Sequence, residues 1–255
     1  MTLSAEKAAE ILHDAYRTDS YFPDDLGGKL TLGQAYDAQF ALMGLRQNEG
    51  QQLAGWKVGL TSKAMQAQQQ VHEPCLGHLL ESGQRDSGTR FDFDAMKSPG
   101  IENELCLRIG KTLKSAQPTF DEAAAAVDAV APALEIIEKR SQFGADFPLA
   151  IAGNAQQLAY VTGPFVPYEA SMDLAEIEVS VEVNSNHQEN ATGAEVLGNP
   201  INSLIWLTGQ LVARGLTLES GMVVMSGSFT RQYAVHKGDR VRSSFTQFGE
   251  VGAEF

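Results

Sequence analysis

The spacing of apolar residues predicts helices in the first part of the chain. Apolar side chains recur at helical spacing over residues 4–17, where Ser4 can cap the first turn. Thr31 and Gln34 form a capping-box pattern, which predicts a second helix to about residue 46. Further helical patterns follow at residues 61–70, at 119–130 and at 200–212.

Alternating apolar and polar positions predict strands, most of them in the second half of the chain. Residues 177–183 alternate strictly, as a half-exposed strand does, and three or four strands are predicted from 221 to 255. Other predicted strands cover residues 55–60, 101–109 and 132–137. The helices gather early, without regular alternation with strands, which favours an α+β fold over a doubly wound sheet. We therefore expect a helical N-terminal arm at residues 1–75 and a β-rich body at residues 76–255.

Composition and charge narrow the possible partners and the compartment. The 255 residues are 43% hydrophobic and 20% charged, as in ordinary globular proteins, and the formal net charge is −13. Nucleic acids and anionic membranes bind basic surfaces, so neither partner is expected. The chain has two cysteines without a CxxC pair, and no apolar run approaches about 18 residues. We expect a cytoplasmic protein without a membrane anchor.

Three carboxylates are candidates for a metal site. Glu102 and Glu104 lie two positions apart in a predicted strand, so their side chains share one face. Glu135 stands in an apolar segment, where an uncompensated carboxylate is costly. Three carboxylates form a hard oxygen site that suits magnesium or manganese. Alternatively, Glu102 and Glu104 lie on a solvated strand face, and Glu135 pairs with Lys139 or Arg140.

Two further residues could act on a small molecule beside such a site. Lys57 lies between Trp56 and Val58 in an apolar strand, where burial can lower its pKa and suit it to proton transfer. It could equally be a snorkelling lysine at a strand edge. Gly227 lets a backbone approach a ligand, and Ser228 can donate a hydrogen bond, although an ordinary β-turn fits the same residues.

Seven segments in chain order resemble motifs of the fumarylacetoacetate hydrolase superfamily. They lie at residues 56–62, 73–77, 101–104, 132–137, 197–200, 226–228 and 237–239. The resemblance runs from about Thr31 to Phe255 and is nearest to the 2-keto-4-pentenoate hydratase and 4-oxalocrotonate decarboxylase branch. Several ordered motifs are more specific than one, so together they favour the metal hypothesis over the solvated strand face.

The resemblance implies a fold, a cofactor and roles for individual residues. The family fold is a β-rich roll of mixed sheets with flanking helices, and its members are commonly homo-oligomers, so we expect one here. It implies a divalent metal, Mg or Mn, and a small 2-oxo acid substrate. The implied site residues are Glu102, Glu104 and Glu135 for the metal, Lys57 for catalysis, and Ser228, Thr61 and Leu76 for substrate binding.

The implied reaction is addition of water to a 2-hydroxy-2,4-dienoate, or unsaturated 2-oxo acid, to give a 4-hydroxy-2-oxo acid in aromatic meta-cleavage catabolism. A decarboxylase of the 4-oxalocrotonate type is the first alternative; an acylpyruvate hydrolase or a non-catalytic 2-oxo acid binding protein is the second. The chain departs from the branch at four positions, which leave substrate and reaction open. Cys75 replaces an acidic residue, Gly153 and Gln156 replace Asp and Ser, and Asn199 replaces His.

Overall fold

The computed structural model describes residues 3–68, 71–141 and 146–255. Helices and strands alternate irregularly along this part of the chain. The helices are α1 (Ala5–Arg17), α2 (Leu32–Asn48), α3 (Lys63–Gln68), α4 (Phe120–Ala124), α5 (Phe147–Ala152) and α6 (Pro200–Val212). The strands are β1 (Leu53–Gly59), β2 (Cys75–Leu80), β3 (Gln84–Asp86), β4 (Thr89–Arg90), β5 (Pro99–Ile109), β6 (Val127–Glu138), β7 (Gln157–Thr162), β8 (Val166–Pro167), β9 (Glu178–Val183), β10 (Asn186–Thr192), β11 (Val223–Met225), β12 (Tyr233–Ala234), β13 (Arg240–Phe245) and β14 (Gly249–Glu254).

The larger sheet is mixed and is built around one long antiparallel pair. Its order is β2-β1-β11-β5-β6-β7-β3, with β12 also paired to β5 and β8 to β6. β5 and β6 are antiparallel, with Glu102 opposite Glu135, whereas β1 and β11 are parallel. Since side chains alternate along each strand, this register determines which residues of β5 and β6 meet on each face.

The smaller sheet packs against one face of the larger sheet. Its order is β10-β9-β13-β14-β4. Alternate residues of both sheets form one buried cluster, completed by the apolar side of α6. Representative members are Ile101, Leu105, Leu134, Val179, Val181, Val241, Val251, Leu204 and Leu207. The opposite face of the large sheet, which carries the even-numbered residues of β5, is therefore free to form a site.

The N-terminal helices form a second apolar cluster with α5. The Ser4 side chain accepts a hydrogen bond from the amide of Lys7 at the start of α1, and α2 has the predicted capping box. Buried residues of α1, α2 and α5 pack together, including Leu12, Leu42 and Leu149. The division of the chain at residue 75 stays a prediction. The structure adds that β1, inside the predicted arm, is a strand of the large sheet.

The α+β class is confirmed, and one predicted helix is wrong over most of its length. The pattern at 119–130 predicted a helix, yet α4 ends at Ala124 and β6 begins at Val127. Tertiary pairing with β5 overrides the helical tendency of the alanine-rich segment. In the segment predicted as a helix at 61–70, α3 covers Lys63–Gln68, and residues 69–70 lie outside the described residues. Among the described residues, none of the helices combines the length and apolar character that crossing a membrane requires.

Candidate metal centre and active-site pocket

Three glutamates meet where β5 and β6 pair. One carboxylate oxygen from each of Glu102, Glu104 and Glu135 lies within 4.8 Å of the others. Glu102 and Glu104 share a face of β5 because they are two residues apart, and the register places Glu135 of β6 directly opposite Glu102. Glu104 and Glu135 are fully buried, whereas Glu102 is half-buried and lines a pocket.

The unsatisfied oxygens of this cluster fit a divalent cation. Glu104 Oε2 accepts a hydrogen bond of 2.8 Å from the amide of Gly227. Glu104 Oε1 and both carboxylate oxygens of Glu135 are buried and accept no hydrogen bond within the described part of the chain. Burial of carboxylates without such partners is costly, and oxygen ligands of this kind are those that magnesium and manganese prefer. The donor set therefore matches a hard divalent cation.

Glu104 and Glu135, the two buried carboxylates, hold their protons more tightly than exposed glutamates do. Burial raises the pKa of Glu135 to about 7, with Glu102 adding to the rise and Lys57 opposing it. Burial, together with repulsion from Glu135 and Glu102, raises the pKa of Glu104 well above its usual range. Both pKa values are raised because the carboxylates are buried and the cluster holds more negative than positive charge, so a bound cation would lower them.

Lys57 supplies part of that positive charge. It lies in β1, is 3% exposed, and its Nζ is 3.2 Å from Glu135 Oε1, an ion pair without hydrogen-bond geometry. Burial alone would lower the pKa of Lys57, but attraction from surrounding anionic groups, Glu135 foremost, outweighs it and raises the pKa. The surrounding anionic groups thus raise the pKa of Lys57, whereas the lowering expected of a lysine beside a bound metal stays a prediction. The alternative that Glu135 pairs with Lys139 or Arg140 is wrong.

Thr61 and Ser228 lie together at the pocket wall. Both line the same pocket as Lys57 and Glu102. Gly227 has φ +114°, and a Cβ added there would lie 2.4 Å from Thr61 Cγ2. Only glycine allows the loop after β11 to pass this close to Thr61 while presenting its amide to Glu104.

Leu76 does not reach the pocket, which contradicts its predicted role in substrate binding. Its side chain is fully buried in the core cluster shared by the two sheets. Leu76 pairs with Val58, whereas Cys75 pairs with Gly59 on the opposite face, where Lys57 also lies. Because side chains alternate along β2, the pocket receives Cys75 and the core receives Leu76.

Asn103, between Glu102 and Glu104 in β5, was not predicted as a site residue from the sequence. It is fully buried, and its amide N–H donates to Ser228 Oγ at 3.2 Å. Its side-chain Nδ2 donates to Thr230 Oγ1 at 2.8 Å, and its Oδ1 accepts from Ser243. Asn103 thus joins the metal-site strand to the loop that carries Ser228. A buried polar residue at an inward strand position was the only signal for it.

The four residues at which the chain differs from the branch pattern, Cys75, Gly153, Gln156 and Asn199, lie in different environments. Cys75 is buried in the pocket wall, and burial raises its pKa to about 11, so the thiol is neutral. A Cβ on Gly59 would lie 3.0 Å from Cys75 Sγ and 3.3 Å from Lys57 Nζ, so thiol and ammonium flank one small gap. Gln156 also lines the pocket, beside the helix end at Gly153.

Asn199 is the N-cap residue of α6. Its Oδ1 accepts from the amide of Ile201 at 2.9 Å, and its Nδ2 donates to Asp173 at 2.8 Å. This is the usual arrangement of a helix N-cap, in which asparagine is favoured. The exchange of histidine for asparagine therefore preserves the helix start.

The pocket has a volume of about 520 Å³ and extends well beyond the glutamates. One wall is apolar and includes Phe147, Ala150 and Ile151 of α5. The lining also includes polar and charged side chains, among them Lys139, Gln156, Glu189 and Arg231. A volume in this range suits a small organic ligand. Lys139 was considered from the sequence only as a partner of Glu135, and Gln156 only as a departure from the branch pattern. The other wall residues were not identified from the sequence, because they come together only in the folded chain.

Comparison with known proteins identifies relatives over almost the whole chain. The family model described as fumarylacetoacetate (FAA) hydrolase C-terminal matches residues 51–255. The 2-oxo-hept-4-ene-1,7-dioate hydratase of Escherichia coli is 33% identical over 236 residues, covering 89% of this chain and 88% of that one. The 4-oxalocrotonate decarboxylase of Pseudomonas putida is 30% identical, covering 98% and 93%. The 2-keto-4-pentenoate hydratase of Paraburkholderia xenovorans is 29% identical, covering 98% and 94%.

Solved structures show the same fold. The 4-oxalocrotonate decarboxylase of Pseudomonas putida G7, complexed with magnesium and adipate, superposes with a TM-score of 0.91 at 29% identity, covering 98% of this chain and 97% of that one. The fumarylpyruvate hydrolase of Pseudomonas aeruginosa, in complex with Mn²⁺ and pyruvate, has a TM-score of 0.64 at 16% identity, covering 78% and 88%. The second likeness concerns the fold alone.

Proposed function

The chain belongs to the fumarylacetoacetate hydrolase family, and on that basis we propose that it is a divalent-metal-dependent hydro-lyase acting on an unsaturated 2-oxo acid. The reaction is addition of water to a 2-hydroxy-2,4-dienoate to give a 4-hydroxy-2-oxo acid, in aromatic meta-cleavage catabolism. Hydratases are among its relatives across most of its length. The observation that carries the proposal is the set of buried, unsatisfied oxygens of Glu104 and Glu135 beside Glu102 and Lys57.

Glu102, Glu104 and Glu135 are the proposed ligands of magnesium or manganese. When bound there, the cation supplies a Lewis acid that draws electrons from the 2-oxo group of the substrate. The backbone amide of Gly227 donates to Glu104 Oε2, which leaves Glu104 Oε1, without a hydrogen bond in the described residues, available to a cation. The half-buried position of Glu102 opens the cluster to the pocket and therefore to the substrate.

Lys57 is the proposed proton carrier. Its Nζ is buried, lines the pocket and lies 3.2 Å from Glu135 Oε1, so it is placed to give a proton to the carbon chain of a bound dienol and later recover one. Ser228 and Thr61 are the proposed hydrogen-bond donors to the substrate carboxylate, since their hydroxyl-bearing side chains line the pocket with Lys57. The apolar wall from α5 excludes water from the hydrocarbon part of the substrate.

Decarboxylation of a 4-oxalocrotonate-type substrate is the second candidate, favoured by Cys75. Water addition benefits from a base that activates the water, and the neutral thiol beside Lys57 is a poor one. Loss of carbon dioxide needs no activated water, because the electron pair of the broken bond stays on the substrate, which then takes up a proton. A chain with Lys57 and a neutral Cys75 can perform that step.

Hydrolysis of an acylpyruvate and simple binding of a 2-oxo acid have less support. Hydrolysis calls for a water-activating pair such as Glu with His. The described Glu–His contact, Glu49 with His13 at 3.0 Å, joins α1 to α2 and is not part of the pocket wall. A binding protein would not need a buried lysine paired with a metal-site glutamate.

The proposal is tested with a panel of unsaturated 2-oxo acids. 2-Hydroxypenta-2,4-dienoate and 2-hydroxyhexa-2,4-dienedioate are mixed with protein and magnesium or manganese, and loss of the dienol absorbance is followed. Mass spectrometry of the product distinguishes gain of one water from loss of one carbon dioxide. We expect turnover that a chelator abolishes. Absence of turnover with every substrate, or turnover that is indifferent to chelator, contradicts the proposal.

We also propose that the protein is a cytoplasmic homo-oligomer. The family resemblance supports assembly, and two free, buried cysteines fit a reducing compartment. Light scattering coupled to size-exclusion chromatography measures the mass in solution, and a monomer at all concentrations contradicts the first part.

A further inference from the structure

The pocket contains three cationic side chains, and one of them has no anionic partner. Lys57 pairs with Glu135 at 3.2 Å, and Arg231 pairs with Glu189 at 3.4 Å. Lys139 lines the same pocket and is exposed, and no carboxylate among the described residues lies within ion-pair distance of its Nζ. The only unpartnered cation of the pocket wall, within the described ranges, is therefore Lys139.

The acidic residues of the pocket wall do not neutralise it. Asp146 accepts backbone hydrogen bonds from Gly28 at 2.7 Å and from Leu149 at 3.0 Å. Glu189 is occupied by Arg231. Glu195, another acidic residue of the pocket lining, forms no ion pair with Lys139 within the described residues. A ligand that enters this pocket thus meets a free ammonium group in a protein with a formal net charge of −13.

Lys139 lies along the same chain segment as the metal-site glutamate. It directly follows β6, four residues after Glu135. Four residues of extended chain span about 13 Å, and the flexible four-carbon stem of lysine can reach back over part of that span. The ammonium group can therefore lie about one substrate length from the carboxylate cluster. A 2-oxo acid held by its head at the cluster would place its far end near Lys139.

Within the lyase function proposed above, we propose that Lys139 binds a second carboxylate at the far end of the substrate and selects unsaturated 2-oxo diacids over mono-acids. The relatives include enzymes named for substrates of both kinds, 2-oxo-hept-4-ene-1,7-dioate and 2-keto-4-pentenoate. The far carboxylate of a diacid accepts a charge-assisted hydrogen bond from the Lys139 ammonium group. The apolar end of a mono-acid cannot accept this hydrogen bond. Lys139 is thus a specificity-determining residue rather than a reacting one.

The test compares two substrates that differ only in the far carboxylate. Specificity constants for 2-hydroxyhexa-2,4-dienedioate and 2-hydroxypenta-2,4-dienoate are measured for the wild type, Lys139→Met and Lys114→Met. Lys114 is an exposed lysine outside the pocket wall, and its substitution controls for loss of one surface charge. We expect the wild type to prefer the diacid.

In Lys139→Met the ratio of the two specificity constants falls by about 10- to 100-fold, the size of one hydrogen bond to a charged group. The loss appears mainly in KM for the diacid, and Lys114→Met keeps the wild-type ratio. Equal losses for both substrates, an unchanged ratio, or a wild type that prefers the mono-acid each overturn the inference.

Binding of unreactive analogues separates this inference from the proposed function. 2-Oxoadipate and 2-oxopentanoate are titrated calorimetrically into the magnesium-loaded wild type and Lys139→Met. Tighter binding of 2-oxoadipate that depends on Lys139, in a protein that turns over neither dienol, supports the role of Lys139 while the lyase function fails. Equal affinity for the two analogues in the wild type overturns the role of Lys139, whatever the activity.

Discussion

Lys57 Nζ and Glu135 Oε1 are 3.2 Å apart, and both side chains are buried. The pair explains how three carboxylates can share one buried place on the sheet. With all groups ionised, three negative charges and one positive charge leave two negative charges, which one divalent cation neutralises. Buried charges are tolerated only when they are paired or coordinated, so a divalent cation bound there would balance the charge that Lys57 leaves uncompensated.

Glu135→Gln tests the metal site directly. Glutamine keeps the size of the side chain but removes its charge, so affinity for magnesium or manganese is expected to fall by about 100-fold or more, since breaking a buried charge pair costs about 3–5 kcal/mol. Turnover is expected to fall with it. Calorimetric titration measures the affinity, and Glu178→Gln, at an exposed position of β9, serves as the control. Unchanged metal affinity in Glu135→Gln refutes the ligand role.

Lys57→Met is expected to separate catalysis from metal binding. Loss of a general acid–base group lowers kcat by about 10²- to 10⁴-fold. Metal binding is retained at neutral pH, because all three carboxylates remain. Steady-state kinetics at saturating metal measure kcat, and a metal titration measures the affinity for the metal. Lys111→Met, at an exposed site, is the control. A Lys57→Met protein with wild-type kcat would exclude proton transfer by this residue.

The stability of the metal-free protein should fall with rising pH. The pKa of Glu135 is raised from 4.5 to about 7, so the folded state holds this proton more tightly than the unfolded chain does. The stabilising contribution is complete below the unfolded pKa and is lost as pH rises through about 7. Protons also compete with a cation, so magnesium should raise the free energy of unfolding more at about pH 7.5 than at about pH 5.

Urea denaturation at both pH values, with chelator or with magnesium, measures this difference. Glu104→Gln removes the other buried carboxylate of the cluster. This variant should show a smaller difference between the stabilisation by magnesium at the two pH values. An equal stabilisation by magnesium at both pH values contradicts the expectation.

Gly227→Ala is expected to impair both stability and activity, and Gly221 offers a matched comparison. Both glycines have positive φ, +114° and +92°, so alanine at either position carries backbone strain of about 1–3 kcal/mol. Only at Gly227 would the new Cβ also meet Thr61, at 2.4 Å, whereas nothing lies within 4 Å at Gly221. Thermal unfolding and kcat/KM of the two variants are compared. Equal effects of the two substitutions would show that the close approach to Thr61 does not matter.

Local patterns were sufficient for several parts of the fold and of the site. The capping box at Thr31 and Gln34 located the start of α2, because its hydrogen bonds join neighbours in the chain. Strand alternation placed Glu102 and Glu104 on one face for the same local reason. The apolar surroundings of Glu135 and Lys57 made them candidates, the family resemblance assigned them to the same site, and the structure brings all four residues together.

Tertiary structure alone decided what depends on distant partners. Pairing with β5 places the residues from Val127 onward in a strand, although the alanine-rich segment before and around them favours a helix. Which face of β2 meets the pocket depends on its register with β1. In that register Cys75 faces the pocket, and Leu76, which was predicted to do so, faces the core. The raised pKa of Lys57 likewise requires carboxylates brought from β5 and β6. The sequence by itself determined what neighbouring residues dictate, whereas register and electrostatics arise from contacts between segments far apart in the chain, whose positions only folding decides.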